Sequence, residues 1–144
     1  MAVDFIRTYA DRCHHGKEEG ILFRELGIKK LKDEHGHTME ELVEEHRWAR
    51  KMTTRLAEAN KRYKQGERDA ISRMTECIRS LIQFYPKHIE KEDKHFFIPC
   101  MGYFSESEQQ TILREGWEFD KNLIHEKYRN VLTTAKKDLT SRTL

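Results

Sequence analysis

The 144 residues suit one domain, and 27 Lys plus Arg against 25 Asp plus Glu leave a net charge of +2, too balanced for nonspecific binding to nucleic acid or anionic lipid. No apolar run approaches the roughly 20 residues of a membrane span, and no signal-peptide pattern opens the chain. Hydrophobic residues at 37%, charged residues at 36%, seven Gly and two Pro suit amphipathic helices with charged outer faces, not a β sandwich.

Four helical segments are expected in chain order. The first runs from about Val3 to Glu25, with Val3, Ile6, Ala10 and Cys13 at helical spacing and Gly27 as its stop. A basic connector, Ile28 to Gly36, leads to a second segment opened by Thr38-Met39-Glu40-Glu41, which fits a capping box. Its stripe is Leu42, Val43, Ala49, Leu56 and Ala59, and it ends near Gly66. The third opens near Asp69 and carries Ile71, Met74, Ile78, Leu81, Ile82 and Tyr85; Pro86 should kink or restart it, and Pro99 ends it. The fourth opens with Ser105-Glu106-Ser107-Glu108, a second capping box, and carries Leu113, Trp117, Ile124, Tyr128 and Val131, with Gly116 a point of interruption. The reading is an all-α, antiparallel up-down four-helix bundle over residues 1–135, followed by a frayed tail at 136–144. Cys13, Cys77 and Cys100 are odd in number and far apart, and read as reduced thiols in a cytoplasmic protein.

An internal repeat marks the chemistry. His14-His15-Gly16-Lys17-Glu18-Glu19-Gly20-Ile21-Leu22-Phe23 and His88-Ile89-Glu90-Lys91-Glu92-Asp93-Lys94-His95-Phe96-Phe97 share the pattern His-x-x-Lys-Glu-acid-x-x-apolar-Phe. The alignment pairs His14, not His15, with His88, and Glu18 with Glu92. Residues four apart on a helix differ by about 40° around its axis, so each His and Glu reach one point in space. Both pairs lie on or beside apolar stripes, where an uncompensated carboxylate costs several kcal/mol. His46, inside the stripe of the second segment, joins them. Imidazoles with carboxylates form a good ligand set for a transition metal. His15, His35 and His37 read as surface or connector residues, His95 as a neighbour of the site, Cys13 as core, and Glu44 and Glu45 as outward-facing.

The two His-x-x-Lys-Glu-acid blocks, with Glu45-His46 between them, resemble the hemerythrin-like (HHE cation-binding) domain family from about Asp4 to Tyr128. The resemblance implies a four-helix bundle holding a non-haem di-iron centre, with His14, His46 and His88 as imidazole ligands. It also implies that Glu18 and Glu92 bridge the two iron ions. The implied activities are binding or sensing of dioxygen or another diatomic, or iron handling, with an enzyme of organic substrates less favoured. Family members usually carry one more helix, with its own histidine ligand, ahead of the first block. No histidine precedes His14 here. Three explanations stay open: a truncated start, completion by a second subunit as a homodimer, or a substitute ligand from the fourth segment, His125 or Asp120. None of the three candidate imidazoles completes a ferritin-like Glu-x-x-His motif, because Asp11, Val43 and Tyr85 stand three residues before His14, His46 and His88. The rival reading is an interaction or signalling module with one structural metal or none.

Overall fold

The computed structural model describes the backbone of residues 2–141 and the side chains of 3–123, 126 and 127. Four long helical segments account for nearly all of it: α1 over residues 2–27, α2 over Asp33–Lys64, α3 over residues 70–101, and α4 over Glu106–Ser141. The described residues contain no strand, and the architecture is the all-α hemerythrin-like bundle expected from the sequence. No helix among the described residues is long and apolar enough to cross a membrane.

Helices α1 and α3 are not uniform. Ile6–His14 and Glu18–Phe23 in α1, and Lys91–Phe97 in α3, are wound as π-helix, with hydrogen bonds reaching one residue further than in an α-helix. Such widened turns concentrate at functional sites. Here they hold His14, Glu18 and Glu92.

Several boundaries differ from the sequence expectation, each for a local reason. Helix α2 starts at Asp33, where Asp33 and Glu34 place negative charge on the first turn and complement the helix dipole. Thr38 is therefore interior, and its hydroxyl donates back to the Glu34 carbonyl (2.8 Å) instead of capping. The turn after α2 needs glycine: Gly66 has φ +100°, the left-handed region that side chains avoid. Helix α3 runs through Pro86 from Ala70 to Glu90 without restarting. The capping box on α4 forms as expected: the Ser105 amide donates to Glu108 Oε2 (2.8 Å) and the Glu108 amide to Ser105 Oγ (3.4 Å). Gly116 does not interrupt α4, which runs unbroken over Glu106–Ser141.

The buried line of α3 is Ala70, Cys77 and Leu81, continued by His88 and Glu92. Those spacings keep one helical face turned inward. Ile78, expected in that line, is instead exposed. Two apolar clusters flank the polar centre. At one end Phe23, Leu26, Leu42, Phe96, Cys100 and Phe104 pack together. At the other, Leu56, Cys77 and Leu81 meet Val3, Ile6 and Met52. Between the clusters, α1, α2 and α3 direct histidines and glutamates at a common volume.

Candidate metal centre

Each of the three inner helices contributes a fully or almost fully buried histidine: His15 from α1, His46 from α2 and His88 from α3. One ring nitrogen from each lies within 4.8 Å of the others. The rings pack directly, His15 flat on His46 with centroids 4.0 Å apart, and His88 edge-on to both. Carboxylates stand behind them. His46 Nδ1 lies 2.7 Å from Glu19, and His88 Nδ1 lies 2.7 Å from Glu45. Glu19 is itself held by Arg50 (2.7 Å), and Glu45 by Lys91 (2.6 Å). Carboxylates in this position orient an imidazole and raise its basicity as a metal ligand.

The inward faces of these rings meet Glu18 and Glu92, both buried. Glu92 Oε1 lies 3.2 Å from His46 Nε2 and 3.1 Å from His88 Nε2, while its Oε2 lies 3.9 Å from His14 Nε2. Glu18 lies 3.3 Å from His14 Nε2 and 3.5 Å from His46 Nε2. Donor atoms of His14, Glu18 and Glu92 form a second group within 4.8 Å of one another. His14 is the half-exposed member, on the wall of a groove of about 720 Å³ between α1 and α4 that Phe5, Tyr9 and Trp117 also line. A mostly apolar groove of about 430 Å³ reaches Glu18 past Ile21, Leu113 and Trp117.

The electrostatics divide the two glutamates. Burial, reinforced by the nearby Glu92 charge, pushes Glu18 up to about 7. Burial also opposes the Glu92 charge, but the close approach of His14, His46 and His88, together with the charge of His88, overcomes it and holds Glu92 well below the ordinary carboxyl range. Burial, followed by the proximity of His46 and His88, pushes His15 down to about 3, so the ring is neutral and its nitrogen lone pair free to coordinate. Both nitrogens of His15, Nε2 of His88 and Oε2 of Glu18 are buried without a hydrogen-bond partner. Native interiors rarely leave several such atoms unpaired at one place. A cation among them would satisfy imidazole nitrogens and carboxylate oxygens together, and that mixed donor set fits a first-row transition metal. The residues present therefore fit a metal centre.

A pH-dependent stability difference follows for metal-free protein. Glu18 is protonated in the fold up to about pH 7, but in the unfolded chain only up to its ordinary value of 4.5. Its destabilising charge is thus absent below 4.5 and complete above 7, worth on the order of 3 kcal/mol. Glu18→Gln should leave stability unchanged at pH 4.5 and raise it at pH 8 by about that amount, measured by urea unfolding in chelator. Equal differences at the two pH values would contradict a raised Glu18 pKa.

The structure brings together His14, Glu18, His46, His88 and Glu92. It corrects the reading of His15 as a surface residue. The reason is the winding of α1: the His15 amide bonds the Ala10 carbonyl, five residues back, so the widened turn stacks His15 below Ala10 where α-helical spacing would place His14. Asp120 is not brought to the centre; it binds Lys17 Nζ (2.9 Å) and Cys13 Sγ (3.3 Å) at the α1–α4 contact. The side chain of His125 lies outside the described residues. His95 is exposed. Glu45, read as outward-facing, instead reaches His88, and Glu19 reaches His46. The available signal was adjacency, since each stands next to a ligand candidate, Glu18 or His46.

The family model for the hemerythrin HHE cation-binding domain matches residues 2–98, about two thirds of the chain and all of the converging residues. The chain belongs to that family. No curated protein and no solved structure matches it.

Proposed function

We propose that the chain holds two iron ions between α1, α2 and α3, with Glu18 and Glu92 as carboxylates between them and His14, His46 and His88 as imidazole ligands. The observation that supports this most is the position of Glu92, one buried carboxylate within 4 Å of imidazoles from three different helices. Iron bound there would supply reversible affinity for a diatomic ligand. The protein's part is to fix the imidazoles from behind through Glu19 and Glu45, and to exclude water at the inner end. His14 stands where the outer end meets the groove, and we assign dioxygen or another diatomic as the ligand entering there, in a binding, sensing or iron-handling role. Anaerobic ferrous protein should develop an ultraviolet-to-visible charge-transfer band on exposure to oxygen or nitric oxide. Iron-loaded protein that shows no spectral response to either gas would contradict the diatomic role.

A homodimer is also proposed, from one observation. Ile71, Ile78, Ile82 and Ile89 are each at least 43% exposed and recur at intervals of seven, four and seven, forming a stripe along one side of α3. Light scattering should give twice the chain mass, and Ile82→Lys should return it to one; a monomeric wild-type protein would contradict the proposal.

A further inference from the structure

We propose that His15 is a metal ligand, and that Asp11 is the positioning residue that aims it. The assignment rests on the two-metal reading and adds a sixth protein donor to it, one supplied by α1 itself. The evidence is threefold.

His15 is fully buried, yet neither ring nitrogen has a hydrogen-bond partner. A histidine kept in a core for packing alone ordinarily satisfies at least one nitrogen. Asp11 Oδ1 is likewise buried and unpaired, one helical turn away and 3.7 Å from His15 Nδ1.

The second observation is repetition. His46 and His88 each present Nδ1 to a carboxylate behind the ring and Nε2 to the centre. His15 repeats that arrangement with Asp11 behind Nδ1, only at a looser distance. A small rotation of the ring would close the Nδ1–H contact to Asp11 and leave Nε2 as the donor. The three imidazoles then form one inner ligand group, and His14 with Glu18 and Glu92 forms the outer one.

The third is position. No other described histidine joins the cluster: His35 pairs with Tyr103, and His37 and His95 are exposed. His15 alone remains buried among the ligand candidates without a role.

The test combines substitution with spectroscopy. His15→Leu replaces a buried unpaired ring with an apolar side chain, so the metal-free variant should fold with a melting temperature at least equal to wild type. After anaerobic ferrous loading and gel filtration, it should hold one ion fewer per chain by elemental analysis. A residue that merely fills space would leave the count unchanged, and that result would overturn the assignment. Asp11→Asn should weaken the same ion about 10- to 100-fold in chelator competition without lowering metal-free stability. Wild-type protein loaded with zinc, a diamagnetic probe, gives an independent readout. Histidine nitrogen NMR should show His15 protonated at Nδ1 and metal-shifted at Nε2; a His15 spectrum unmoved by zinc would overturn the proposal. The wild-type ion count separately tests the two-metal reading. If it is one, that reading fails, and loss of that ion from His15→Leu still supports the His15 assignment while its retention overturns it.

Discussion

Glu92→Ala is expected to abolish metal binding, weakening retained iron by more than about 100-fold, since even residues behind the ligands are worth 10- to 100-fold. Among the described residues no other carboxylate lies within 4 Å of three imidazoles: His46 at 3.2 Å, His88 at 3.1 Å and His14 at 3.9 Å. The same substitution should destabilise metal-free protein by about 3–5 kcal/mol, the usual cost of removing one partner from a buried ionic network. The sign in pH is fixed. Glu92 titrates in the fold well below its ordinary value of 4.5, so its contribution is complete above that value and disappears as the pH falls beneath it. Glu18→Gln is expected to weaken metal binding too, yet to stabilise metal-free protein above pH 7. Two glutamates facing one cavity should therefore act alike on metal and oppositely on stability. Urea unfolding in chelator, paired with iron analysis of both variants, measures this, and stability changes of the same sign at pH 8 would refute the electrostatic division between them.

Removing the metal should lower the melting temperature by about 10 °C. Ions bound by the native state alone stabilise it by mass action, by about 4 kcal/mol at a thousandfold excess over the dissociation constant. In a domain of this size each kcal/mol shifts the midpoint by about 2–4 °C. The loss has a structural origin in the unpaired nitrogens of His15 and His88 and the unpaired Glu18 oxygen, which the cation would satisfy. Without it, Glu18 and Glu92 face each other across the same volume, each raising the cost of the other's charge. Calorimetry of loaded and chelated samples reads the shift, and identical midpoints would argue against a buried site.

How far the sequence reached depended on local winding. His46, and the four-residue step from His88 to Glu92, were legible because α2 keeps regular helical spacing and the Lys91 amide of α3 still bonds the Lys87 carbonyl, four residues back, as the π-wound turn begins. The face of α1 was harder to read, because its π-wound turns break the assumption of about 100° per residue and bring His15 under Ala10. Nothing in the residue types announces that winding. The carboxylates behind the rings were hidden differently. Glu19 and Glu45 are charged residues in a chain that is 36% charged, and only the packing of α1 against α2 and of α2 against α3 shows which of the many reaches an imidazole. Asp120 stood out because an acid in an apolar stripe looks like a ligand, and only the packing of α1 against α4 shows that Lys17 compensates its charge. The start of α2 was missed because Thr38 resembles a cap, while the first-turn acids Asp33 and Glu34 already stabilise an earlier start.

The central claim is a two-metal centre, and counting metal tests it most directly. Protein stripped by chelator, loaded anaerobically with ferrous iron and freed of excess by gel filtration should retain about two irons per chain by elemental analysis. Retention of one ion, or of none above a denatured control, would contradict it.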